Sequence, residues 1–307
     1  MQSFRRWLAV PATLACVGAI AACGGSSSTT TSAPATSAST TSSSSSANPA
    51  VAKLVPSAIK SKGTLTVAAD ASYAPNEFIA SDGHTVIGMD PDLVHALAAV
   101  MGLKANVVNA TFDTIIPGLQ AGKYDMGASS FTDTKAREKV VTFVDYYEAG
   151  TSFFTKTSGG ASITGLADLC GKTVSVESGT TEETDAKTQS AQCVKSGKAK
   201  VNVLVYPTQS AANLALSSGR AQIGMADSPI ADYQVKQSNG TFKIVGKSYG
   251  PFTYGLAVPK TSGLAPAVLA ALKVLEANGT YMSALSKWGI QSGAIPTSRM
   301  KINGATS

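Results

Sequence analysis

From about residue 60 onward, short β-branched runs alternate with segments whose apolar positions recur every three or four residues. Residues 63–70 (GTLTVAAD) form an apolar run that ends in an acid, and residues 171–178 (GKTVSVES) repeat the pattern about a hundred positions later. Both predict strands. Asp90-Pro91-Asp92 predicts an N-cap with proline at the first helical position; Leu93, Val94, Leu97 and Met101 follow at helical spacing and Gly102 closes the helix. Further helices are predicted over 114–121, 134–140, 181–190, 210–218, 228–237, 265–277 and 281–288. Alternating strands and helices imply an α/β protein with parallel sheets, in which ligands sit beyond the carboxyl ends of the strands. That rule selects Asp70, Ser129, Ser130, Glu177 and Asp227 as candidate pocket residues.

The alternation contains an internal echo. Leu119-Gln-Ala-Gly-Lys-Tyr-Asp-Met-Gly-Ala-Ser-Ser130 lies over Leu216-Ser-Ser-Gly-Arg-Ala-Gln-Ile-Gly-Met-Ala-Asp227, matching leucine, glycine, base and glycine. In each copy a helix ends at a glycine, Gly122 or Gly219, and a short apolar strand runs into polar residues. Two related α/β lobes account for the repeat.

The first fifty residues are of another kind. A basic start through Arg6, an apolar run over 7–20 and the small residues before Cys23 read as a signal peptide over 1–22, with Cys23 at a lipobox-like cleavage site where it would carry lipid. Residues 23–50 are rich in Ser, Thr, Ala and Gly and carry no charge, a composition that cannot bury a core. As a coil this tether spans roughly 30 Å, enough to let a lipid-anchored body sample the membrane surface. Beyond the leader no apolar run is long enough to span a bilayer.

Composition narrows the function. With 44% hydrophobic residues, the 307-residue chain can build two packed domains. Its 25 Lys and Arg exceed 19 Asp and Glu by only +6, without the basic clusters that nucleic-acid binding requires. The two histidines, His84 and His95, read as surface residues, and with four cysteines they form no ligand spacing for zinc, so neither metal nor cofactor is expected. Cys16 belongs to the leader, whereas Cys170 and Cys193 flank the first strand and helix of the second lobe and pair naturally on an oxidising side of the membrane.

Candidate chemistry gathers at strand ends. Arg137 lies in the first turn of a helix opened by Thr134, where a guanidinium fork meets free backbone N–H groups and can hold a carboxylate. Ser178-Gly179-Thr180-Thr181 forms a second glycine turn into a helix start, and Asp227 supplies the charge for an ammonium. Each feature taken singly also fits a surface arginine or an ordinary cap. Their matched placement in two lobes describes a receptor for a zwitterion.

These residues resemble the bacterial extracellular solute-binding proteins of family 3, the polar amino-acid receptors of ABC importers. The resemblance spans about 58–290 and rests on Asp70-Ala-Ser-Tyr-Ala-Pro75, Val86-Ile-Gly-Met-Asp-Pro-Asp-Leu93, Ile116-Pro-Gly-Leu-Gln-Ala-Gly-Lys-Tyr-Asp125, Thr134-Lys-Ala-Arg137, Val141-Thr-Phe-Val-Asp-Tyr-Tyr147, Val176-Glu-Ser-Gly-Thr-Thr181, Ala226-Asp-Ser-Pro229, Asn278-Gly-Thr-Tyr281 and Lys287-Trp-Gly289. Asn76 departs from it by replacing the usual aromatic residue, as does Pro91 at a common hydrophobic position. The family implies a two-lobed periplasmic-binding-protein fold of type II, crossing between lobes near 148–154 and 246–255. Lobe 1 would comprise 51–148 with 253–307, and lobe 2 would comprise 149–252.

Carried over by position, Arg137 and Thr132 would hold the ligand carboxylate with Thr181 from the other lobe, and Asp227 the ammonium with help from Ser130. Tyr73 and Phe112 would wall the side chain, and Asp70, Ser129 and Glu177 would line its far end, which points to a polar or cationic L-amino acid. The implied protein is a monomeric lipoprotein on the extracytoplasmic face of the cell membrane, handing its ligand to ABC permease subunits. Two alternatives remain at this point: an enzyme similar to cyclohexadienyl dehydratase, with Glu177 as general acid, and a ligand-sensing lipoprotein.

Overall fold

The computed structural model describes residues 47–306. The signal peptide, Cys23 and most of the tether lie outside the described residues. The tether expected to run through residue 50 ends earlier, because Asn48 accepts hydrogen bonds from the amides of Ala50 (3.0 Å) and Val51 (3.3 Å) and caps a helix, Pro49–Leu54. An Asn-Pro helix start was hidden there by the polar composition.

The strands are β1 (Thr64–Ala69), β2 (Ser72–Tyr73), β3 (Glu77–Ile79), β4 (Val86–Ile87), β5 (Lys104–Asn109), β6 (Met126–Gly127), β7 (Val141–Lys156), β8 (Thr173–Glu177), β9 (Asn202–Tyr206), β10 (Ile223–Asp227) and β11 (Phe242–Pro259). Strands β2, β3 and β4 form a small antiparallel sheet, and the other eight are continuous in the order β5-β1-β6-β11-β7-β10-β8-β9. The continuity comes from β7 and β11, of 16 and 18 residues, which pair antiparallel from Pro259↔Val141 to Phe242↔Lys156. At one end, parallel β5-β1-β6 meets antiparallel β11 through Ala257↔Gly127. At the other, parallel β9-β8-β10 meets antiparallel β7 through Asp227↔Thr151. Each lobe is therefore a parallel trio completed by a strand that arrives from the other lobe, which is the structural form of the sequence echo. The β7/β11 register shifts between Val245 and Tyr249 and again between Tyr249 and Phe252, in the middle of both long strands.

Helices pack as their periodicity demands. Leu93, Val94, Leu97 and Met101 are all buried, in one core with Leu65, Val67 and Leu272, while Val174, Val176, Ile223 and Met225 centre another in the second lobe. Several boundaries differ from the sequence reading. The helix Met89–Val100 begins at Gly88, so Asp90 lies inside its first turn and does not cap it. Its carboxylate instead accepts from the Ser130 amide (2.9 Å) and the Tyr146 hydroxyl (2.6 Å), donors that a neighbouring strand end and β7 bring to it. Helix Lys135–Glu138 is a single turn, cut short by the start of β7. Helix Thr181–Lys195 runs five residues past its expected end, carrying Cys193 into the core and into a disulfide with Cys170.

The C-terminal segment straps the first crossing strand. The Asn303 side chain accepts from the Phe143 amide (2.8 Å), the Asp145 amide donates to Lys301 (2.9 Å) and the Ala305 amide to Glu138 (3.1 Å). Beneath it Asp145 is buried beside Asp133, and burial followed by the Asp133 charge raises its carboxyl to about 8.

Two measurements follow from these packing features. The disulfide closes a loop 23 residues long, so replacing both cysteines with alanine should lower unfolding free energy in urea by about 3 kcal/mol in the chain-entropy model. The folded chain keeps the Asp145 proton up to about 8, whereas the unfolded chain releases it near roughly pH 4. The native state thus binds more protons between those values, and stability falls as pH rises through that window. Asp145→Asn should flatten the fall, read from urea midpoints at several pH values.

Candidate functional site

The carboxyl ends of both parallel trios meet at one tightly closed cavity of about 10 Å³, lined by Tyr73, Phe112, Ser130, Thr132 and Arg137 from lobe 1 and by Glu177, Thr180, Thr181, Glu182 and Asp227 from lobe 2. Eight of the ten residues selected from sequence line it; Asp70 and Ser129 do not, Thr180 enters from the glycine turn already noted, and Glu182 was not foreseen. A free space of that size holds about a single water molecule, so in this form the lobes are packed closely around these side chains. A larger, more open groove over the crossing strands, with Tyr147, Tyr249 and Trp288 in its walls, contains none of the strand-end residues.

One pole is built around Arg137. Thr134 caps its short helix by accepting the Arg137 amide (3.2 Å), and the guanidinium lies over the rings of Phe112 (5.4 Å) and Phe131 (5.6 Å). Two of its donors are committed, one to the Thr132 carbonyl (2.8 Å) and one across the cleft to the Gly179 carbonyl (2.9 Å). Burial lowers its pKa from the usual arginine value, opposed by the charges of Glu182 and Asp227. The facing turn needs glycine: Gly179 has φ +78°, and its amide donates to Glu183 (2.7 Å). Thr180 accepts the Glu183 amide (3.2 Å), an N-cap at the start of helix Thr181–Lys195, whose first residues line the cavity.

The opposite pole is Asp227, at the end of β10. Its Oδ2 accepts from the hydroxyls of Tyr73 (3.0 Å) and Tyr254 (2.9 Å), and its Oδ1 is buried without a hydrogen-bond partner among the described residues. Although Asp227 stands at the N-cap of helix Ser228–Gln237, its side chain makes no capping bond. Burial, then the neighbouring Glu182 charge, pushes its carboxyl well above the usual range. Tyr254 was not foreseen, since it is an ordinary apolar position of the second crossing strand in sequence. Glu182 sits in a Glu-Glu pair that looks like solvated first-turn acids. The available signal was helical spacing: Glu182, Ala186 and Cys193 are the buried residues of that helix and share one face.

The remaining residues divide into wall and scaffold. Asp70 accepts from the amides of Ser72 (3.0 Å) and Phe112 (2.9 Å), so its carboxylate caps the start of helix Phe112–Gln120 rather than lining the cavity. Ser129 accepts the Asp70 amide (2.8 Å) and donates to Glu77 (3.2 Å), which turns its hydroxyl inward. Glu177 does face the cavity. It is 1% exposed, its Oε1 has no partner among the described residues, and burial followed by the Asp70 charge raises its pKa well above normal. Ser130, at φ 49°, donates its amide to Asp90 and accepts from Asn76 (2.8 Å). The departure at Asn76 thus provides a polar support beneath the cavity wall.

Two α/β lobes joined by two strand crossings, closed over a cavity with opposed charges, define a solute-binding protein of the type II class. The chain belongs to the bacterial extracellular solute-binding proteins, family 3, whose pattern matches residues 65–291. It is 38% identical to the arginine-binding protein ArgT of Corynebacterium glutamicum, over 80% of this chain and 81% of that protein. Among solved structures it is similar to an ancestral arginine-binding protein bound to arginine, with TM-score 0.68 and 36% identity over 74% of this chain and 98% of that one. It is also similar to an ancestral amino acid-binding protein described as a precursor of cyclohexadienyl dehydratase, with TM-score 0.64 and 34% identity over 75% of this chain and 97% of that one.

Proposed function

We propose that this protein is the extracytoplasmic binding component of an ABC importer and captures L-arginine, or a close cationic relative, by closing its lobes. Residues 51–148 with 253–307 move against residues 149–252 about the two crossings. The observation that carries the reading is the charge balance of the cavity: one guanidinium, Arg137, faces three carboxyl groups, Glu177, Glu182 and Asp227. A neutral amino acid supplies one negative and one positive group and leaves that imbalance unchanged. A cationic side chain adds the charge that the buried Glu177 carboxylate lacks.

In this reading the α-carboxylate meets the free donors of Arg137, with the Thr132 hydroxyl and the Thr181 end of the facing helix, and the α-ammonium meets Asp227 Oδ1 beside Ser130. Tyr73 and Phe112 flank the aliphatic stem, and Glu177 receives the guanidinium. Asp70 and Ser129 act behind the wall, holding the helix start and adding negative potential. The arginine-binding names of the relatives support the ligand, and Cys23 would anchor the body through lipid and tether. A dehydratase would use the raised Glu177 carboxyl as its acid, but a cationic ligand accounts for the same carboxyl, and the relatives described above are named as binding proteins.

Thermal shift of the purified protein against the common amino acids tests the proposal, with arginine and then lysine expected to raise Tm most. Equal silence of both would overturn it. By calorimetry, Arg137→Ala should weaken arginine binding by about two to four decades, since the carboxylate loses its charged partner. Glu177→Gln should reduce the preference for arginine over citrulline, its uncharged isostere, while leaving citrulline affinity little changed.

A further inference from the structure

Glu182 has no role in a scheme that sets one arginine against the carboxylate and one aspartate against the ammonium. It is nevertheless 3% exposed and lines the cavity. Two hydroxyls fix its position: Thr151 of β7, at the crossing between lobes, donates to Oε1 (2.7 Å), and Thr181 donates to Oε2 (3.1 Å). Both donors are neutral, so they aim the carboxylate without cancelling its charge. Its carboxyl lies near enough to Asp227 to raise that group. Its charge is also felt by Arg137, Glu177, Tyr73, Asp185 and Tyr249. Of these only Arg137 is cationic, and it is partly committed to the Thr132 and Gly179 carbonyls. The closed cleft therefore holds two neighbouring carboxyl groups, one of which, Asp227, presents an unpartnered oxygen.

We propose that Glu182 is a specificity residue for the α-amino end of the ligand, making a positive charge between itself and Asp227 a condition of tight closure. This rests on the amino-acid reading above. With an ammonium in place, both carboxylates gain an attractive partner in a water-poor cleft; with a hydroxyl, a keto group or a hydrogen there, closure leaves the pair without a cation, at the cost of repulsion or of proton uptake. Glu182 thus discriminates against deaminated and hydroxy-acid analogues beyond what Asp227 achieves alone, whatever the ligand side chain.

The test compares dissociation constants for L-arginine, L-citrulline and 5-guanidinopentanoic acid, which is arginine without its α-amino group, by calorimetry on the full protein and its Glu182→Gln and Glu177→Gln variants. Glu182→Gln should shrink the ratio of deaminated to intact arginine Kd by about tenfold and leave the ratio of citrulline to arginine unchanged. Glu177→Gln should do the reverse. A deaminated-to-intact ratio that Glu182→Gln leaves unmoved, or a change in the citrulline ratio instead, overturns the proposal. Thr151→Val, which removes the hydroxyl aiming the carboxylate, should shift the same ratio in the same direction if Glu182→Gln fails to fold. If another amino acid binds and arginine does not, the arginine reading fails alone, and the same comparison with that amino acid and its deaminated counterpart decides the role of Glu182. If no amino acid binds, both fall.

Discussion

The Arg137 guanidinium commits donors to main-chain carbonyls on both sides of the cleft, Thr132 in its own lobe and Gly179 in the other. That fork is the positive centre around which the remaining polar groups are disposed. Glu177, Glu182 and Asp227 all descend from the second lobe, so the lobes bring opposite charge to a common cavity. Burial then amplifies the mismatch. The Glu177 and Asp227 carboxyls, which would ionise freely in water, are raised by desolvation and by neighbouring acids, and each keeps an oxygen with no partner among the described residues. A ligand of complementary charge is therefore part of the electrostatic balance of the closed form.

The scaffold that carries these groups is a consequence of two long strands. Because β7 and β11 run through both lobes, each parallel trio faces a strand entering from outside, and the ends of the trios point at each other. The supporting carboxylates serve geometry as much as charge. Asp70 fixes the start of the helix that bears Phe112, and Asp90 fixes the Ser130 amide and the Tyr146 hydroxyl. Removing such a group would move a wall of the cavity without touching a ligand.

Much of this was legible in the sequence because the signals were periodic or repeated. The face of Leu93, Val94, Leu97 and Met101, the twin strand ends at Ser130 and Asp227, and the pairing of Cys170 with Cys193 each follow from spacing. What escaped was the direction of individual polar side chains. Asp90 read as a cap, yet stronger donors drew it into the core; Asp70 and Ser129 read as cavity residues, yet backbone amides claimed them first. Glu182 and Glu183 are adjacent and chemically alike, and only the helical phase separates the buried one from the one that caps. Hydrophobic patterning sets which face is inside, but a polar residue there is oriented by partners distant in the chain.

The exchange of strands between lobes also orders events during synthesis. Lobe 2 can gather most of its sheet from residues 141–227, but the sheet of lobe 1 has an open edge beside β6 until β11 supplies Ala257 opposite Gly127. The strap that covers Phe143 and Asp145 comes later still, from residues 301–305. A chain emerging from its N-terminus thus holds its first lobe incomplete until nearly the last residues have appeared.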